Sequence, residues 1–132
     1  MQSEIRTAIY EMALTATGLE AKNLWWGKAD EDAVLPFVVI SSVANPVTRD
    51  TTPKQFEEFH LNFTAYAYEL EDAETLEEAI MAVFDYGKDA LTALLTNYRA
   101  VATLRMYRES RMHDEDRLWQ NVVFYQIEVV KT

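Results

Sequence analysis

The sequence predicts an α+β fold, an antiparallel sheet of about four strands with two helices packed on one face, in the order α-β-β-α-β-β. Three observations predict it. Two segments repeat apolar residues every three or four positions, as a helix buried along one side must. Four others are continuously apolar or alternate with period two, as strands do. The strand segments fall in neighbouring pairs, which suits hairpins.

The first element is an amphipathic helix. Ser3 suits its N-cap, Ile5, Ile9, Met12, Ala13 and Ala16 share one face, and Gly18 stands where a helix ends. The connector Leu24-Trp25-Trp26-Gly27 has room for a small strand, although adjacent tryptophans in a strand point to opposite faces. Leu35 to Val43 reads as a strand, buried on both faces through Ile40 and polar from Ser41-Ser42. Ala44 to Gln55 is too long for a tight turn, and Pro46, Pro53 and three threonines keep it from being helical. Its centre, Val47, Thr48, Arg49, Asp50, Thr51 and Thr52, reads either as a docking arm or as an ordinary loop.

In the strand from Glu57 to Tyr68, Phe59, Leu61, Phe63, Ala65 and Ala67 share one face, and His60, Asn62, Thr64, Tyr66 and Tyr68 the other. A helix then spans about Ala73 to Leu95. Its inner side carries Leu76, Ile80, Val83, Gly87, Leu91 and Leu94; Glu71, Glu74, Glu77, Glu78, Asp85 and Asp89 form an acidic stripe opposite. Arg99 to Arg111 alternates Ala100, Ala102, Leu104 and Met106 with Val101, Thr103, Arg105, Tyr107, Glu109 and Arg111. After a polar turn, the last strand sets Trp119, Val123, Tyr125, Ile127 and Val129 on one face. Its other face holds Gln120, Val122, Phe124, Gln126 and Glu128, and apolar residues there imply a cover.

Composition narrows the function. At 132 residues the chain fits a single domain, residues 1–132. Apolar residues make up 49% of it, which excludes a disordered chain. Without cysteine it can form neither disulfides nor thiolate metal sites. Met1-Gln2-Ser3-Glu4 lacks the features of a signal peptide, and no apolar run reaches the roughly 18 residues of a membrane helix. A soluble protein without a membrane partner is expected. The net charge of −10 is concentrated between Gln55 and Ala90, where ten carboxylates face only Lys88. Such acidity argues against nonspecific DNA binding, which draws on lysine and arginine at phosphates.

No catalytic motif is present, and an enzyme is not expected. There is no Gly-x-Ser-x-Gly, and the only histidines are His60 and His113. The turn His113-Asp114-Glu115-Asp116 offers oxygen ligands without the spacing of a calcium loop, so it reads as a solvated hairpin turn. Glu77 and Glu78 sit on a helix's outer face with no pocket implied. No metal, cofactor or catalytic residue is assigned. Tyr66, Tyr68, Arg105, Tyr107, Val122 and Phe124 fall on strand faces opposite the inferred core, where a neighbouring subunit could cover them.

The chain resembles the small tail terminator, or tail-completion, proteins of long-tailed bacteriophages and prophages. The likeness lies in length, element order and three stretches: Leu35-Pro36-Phe37-Val38-Val39-Ile40, Phe59 to Tyr66 running into Leu76 to Val83, and the closing Tyr125-Gln126-Ile127-Glu128-Val129. The resemblance implies a mixed α/β fold and a ring, hexameric in such proteins, that caps the tail tube and presents the surface for head joining. Its partners would be further copies of itself, the tail tube protein and the head–tail connector protein, with DNA passing the channel unbound. Its place would be the head-proximal end of the virion's tail, after assembly in the host cytoplasm. A head–tail connector or tail tube subunit, or an acidic inhibitor imitating DNA, are the alternatives.

Overall fold

A computed structural model describes residues 3–44, 56–113 and 117–132. The elements are α1 (Ser3–Thr17), β1 (Leu24–Trp26), β2 (Phe37–Ala44), β3 (Phe56–Ala67), α2 (Leu70–Phe84), α3 (Lys88–Ala93), β4 (Tyr98–His113) and β5 (Leu118–Lys131). A single 3-10 turn, Ala21–Asn23, leads into β1. Period-two apolar patterning builds β3 and β5 as the middle of the sheet, where each is paired on both sides. The strand order is β1-β2-β3-β5-β4, and every neighbouring pair is antiparallel except β1 with β2. The α+β expectation holds, but the sheet is mixed and has five strands, because Leu24–Trp26 pairs with Val38–Ile40.

The helices form a layer on one face. α2 lies over β3 and β5, α3 over β4, and α1 against α2 and α3. Ile5, Ile9 and Met12 of α1 are buried, as their spacing predicts, and Gly18 closes that helix at φ 67° with its N–H on the Leu14 carbonyl. Beneath the helices an aromatic cluster forms the centre of the core: Phe63 and Phe84 ring centroids lie 4.7 Å apart, and Tyr125 is 5.8 and 5.7 Å from them.

The single helix expected from Ala73 to Leu95 is broken. α2 ends at Phe84, Asp85 is extended, and Tyr86 takes the left-handed conformation at φ 58°. The Thr103 hydroxyl of β4 fills the gap, donating to the Phe84 carbonyl at 2.7 Å and accepting from the Gly87 N–H at 3.0 Å. A side chain at Gly87 would not fit, since a Cβ there would lie 2.3 Å from the Val83 carbonyl oxygen.

Two bulges in β4, at Ala100/Ala102 and Arg105/Tyr107, change which side each residue faces. Ala100 lies in the core, whereas Ala102 and Leu104 pair with Glu128 and Gln126 on the opposite face. The simple alternation expected for this strand is corrected accordingly. β2 begins at Phe37 rather than Leu35.

Candidate functional site

With all helices on one side, the other side of the sheet is an open face. Antiparallel register aligns its residues in rows, because directly opposed residues share a face. Phe37, Tyr66, Gln120 and Arg111 form one row; Val39, Thr64, Val122 and Glu109 the next; Ser41, Asn62, Phe124 and Tyr107 the third. Aromatic rings tile part of it. Phe37 stacks on Tyr66 at 5.0 Å, Tyr107 lies nearly parallel to Phe124 at 5.1 Å, and His60 meets Phe124 edge-on at 5.6 Å.

Polar groups gather in the next two rows, His60 beside Gln126 and Glu58 beside Glu128. His60 lies 3.0 Å from Glu58, and the Gln126 amide donates to Glu58 at 2.8 Å and to Glu128 at 2.9 Å. Trp25 Nε1 and Asn62 Oδ1, both on this face, are buried without a hydrogen-bond partner among the described residues. Such orphaned atoms are uncommon and costly.

The structure divides the residues expected at an interface. Tyr66, Tyr107, Val122 and Phe124 do lie together on the open face. Val122 and Phe124 are only 7% and 9% exposed, because the chain's own side chains cover them. Tyr68 stands beyond the end of β3 and is exposed. Arg105 is elsewhere: the first bulge turns it to the helix side, 3.7 Å from Asp85, and the second returns Tyr107 to the open face. The proposed arm, Val47 to Thr52, and the turn residues Asp114 to Asp116 lie outside the described residues.

The acidic stripe is also divided. Glu71, Glu74, Glu78 and Asp89 are exposed, as expected. Asp85 is half-buried and accepts a 2.6 Å hydrogen bond from the Tyr125 hydroxyl, whose pKa is raised by burial and by that carboxylate. Glu77 does not belong to the stripe. It is 3% exposed, lies on the sheet side of α2 with Ala73, Ile80, Met81 and Phe84, and is held by the Arg108 guanidinium. Burial pushes its carboxyl above the usual range, and Arg108 partly offsets this. Its position was readable from the 73-77-80-84 spacing, which the charge of the residue obscured.

A further carboxylate escaped the sequence reading. Glu4 of α1 accepts from the backbone N–H groups of Thr96 and Asn97 and from the Asn97 amide, fastening the first helix to the start of β4. These N–H groups lower its pKa.

Chemically the open face offers stacking, hydrogen bonding and apolar contact. Among the described residues no three histidines or carboxylates converge to hold a metal ion, and no helix is long and apolar enough to cross a membrane. No protein-family model and no curated protein matches the chain. A chain from a solved structure described as "Virion of native gene transfer agent (GTA) particle" has a similar fold, with a TM-score of 0.65. The match covers 96% of this chain and 94% of that one at 12% sequence identity, a likeness of fold over nearly the full length of both.

Proposed function

We propose that this protein is a structural subunit of a phage-like virion, and that it caps the tail tube as a ring, ends tail polymerisation and forms the surface for head joining. The observation that carries the reading is the fold likeness to a virion chain over nearly all of both molecules. The one-sided layering supports it, since a broad aromatic and polar sheet face suits contact with other subunits. In this reading the ring, six-membered by the resemblance, contacts the tail tube protein on one side and the head–tail connector protein on the other. Its acidic surface lets DNA pass without being held. The same likeness also accommodates a head–tail connector or a tail tube subunit. An acidic inhibitor imitating DNA would instead act as a monomer or dimer.

Electron microscopy of tails assembled with and without the protein tests the proposal. Uniform tubes ending in a ring are expected with it, and overlong tubes without it. Replacing Val47 to Thr52 by a short Gly-Ser link is expected to give overlong tubes at unchanged thermal stability. Normal tube length in the protein's absence would overturn tail capping. Labelled protein along the tube or at the head vertex would select the tube or connector reading.

A further inference from the structure

We infer that copies of this chain join head to tail through opposite ends of the sheet, the β4 edge of one subunit docking on the Asp30–Val34 segment beside β1 of the next. This rests on the ring reading above and adds to it the two surfaces that make the ring.

β4 is the last strand of the sheet, and among the described residues nothing pairs with its outer edge. An unpaired edge presents a row of free peptide groups, and proteins commonly blunt such edges. Here the bulge at Arg105/Tyr107 interrupts the edge, but Tyr107 to His113 runs on in regular register. Leu104, Met106, Tyr107 and Met112 are each about half exposed along it. The charge is basic: Arg99, Arg105, Arg108 and Arg111 against Glu109. Arg105 and Arg108 are engaged by Asp85 and Glu77, whereas Arg111 donates to the neutral Gln120 at 3.3 Å and pairs with no carboxylate among the described residues.

The opposite end has the complementary character. β1 is three residues long, and the chain returns from it to β2 through Asp30-Glu31-Asp32, all exposed and without an ion pair among the described residues. Val34 follows, 70% exposed. Asp30, Asp32 and Val34, with Lys22, Asn23 and Trp25, line a cavity of about 300 Å³, large enough for one long side chain. Trp25 contributes a buried indole N–H that has no acceptor among the described residues.

One end is therefore basic with half-exposed apolar side chains, and the other acidic with an apolar recess. The width of five strands, about 19 Å at the usual strand spacing, separates them. Two different surfaces at opposite ends of one molecule make a heterologous contact, which repeats from copy to copy and closes when the rotation allows. A second copy is the partner that carries both complements in equal number.

Charge exchange tests this, with concentrated protein alone and with tail tubes of its own particle. Arg111→Glu in one variant and Asp30→Lys with Asp32→Lys in another each set like charges face to face. Each alone is expected to lose ring formation by at least about tenfold, since like-charge contacts cost several kcal/mol. An equimolar mixture is expected to recover it, because every contact between unlike variants is again complementary, and native mass spectrometry should find both in equal numbers per ring. The chain has no cysteine of its own, so a Val34→Cys, Met112→Cys chain should form inter-subunit ladders with a short bismaleimide. The cysteine arm decides the matter if a charge variant fails to fold. If wild-type rings form while the mixture stays dispersed and no ladder appears, the assigned surfaces are wrong and the ring reading stands. If wild-type protein forms no ring even on tubes, both are overturned.

Discussion

Glu77 and Glu4 carry opposite pH dependences. Burial raises the Glu77 pKa above its unfolded value, so the folded state holds that proton more strongly. Its contribution to stability is greatest at low pH and falls as pH rises through the folded pKa. Glu4 is lowered by backbone donors, so its contribution is present above the ordinary carboxylate range and is lost as pH falls through the folded value. Glu77→Gln keeps an acceptor for Arg108 and removes the desolvated charge. It is expected to flatten the Glu77 slope in thermal melts between pH 4 and 8, and to melt at or above wild type at neutral pH. Glu77→Ala, which also removes the acceptor and packing, should fall below Gln by about 1–3 kcal/mol. Identical slopes in wild type and Gln would refute this account. The 73-77-80-84 spacing sets Glu77 on the buried side, but its charge argued for the outside, and the arginine that makes its burial tolerable lies 31 positions away.

Among the elements, the break between α2 and α3 is bridged by one hydroxyl, beside the direct bond from the Gly87 N–H to the Phe84 carbonyl at 3.1 Å. Thr103→Val keeps the shape of the side chain but leaves the Phe84 carbonyl and Gly87 N–H without this partner. Urea unfolding should show a loss of about 1–3 kcal/mol. Gly87→Ala should cost a similar amount, because the added methyl meets the Val83 carbonyl and forces overpacking. An unchanged midpoint in both would mean that the break is held by something else. The long apolar repeat from Leu76 to Leu94 predicted helix throughout, and each half is indeed helical. The interruption could not be read locally, since its cause comes from β4. The same holds for the strands. The faces of β3 and β5 were legible from strict alternation, whereas the β4 bulges and the pairing of Leu24–Trp26 arise from neighbours distant in sequence. The open face was legible in outline through Tyr66, Val122 and Phe124. The coverage of Phe124 by Tyr107 and His60, and of Tyr66 by Phe37, was not, because it required the register.

At the scale of the molecule, helices on one side and an open sheet face on the other combine a full core with a broad face that no other described element covers. The ten carboxylates between Gln55 and Ala90 add self-repulsion that keeps free copies apart. The strand order was not legible, since the same α-β-β-α-β-β pattern can be threaded in several ways. The order found has a consequence for synthesis. β5, made last, lies between β3 and β4. A ribosome that has delivered everything through β4 therefore holds a chain in which β3 can pair only with β2, and β4 has no neighbour at all. The sheet can close only after Leu118–Lys131 has cleared the exit tunnel, so its completion waits for the last strand and cannot proceed strand by strand. Chains stalled with β5 still inside the tunnel should be cut rapidly by protease across β3 and β4, and chains given a longer C-terminal linker should resist. Resistance before β5 emerges would mean that the other strands fold without it.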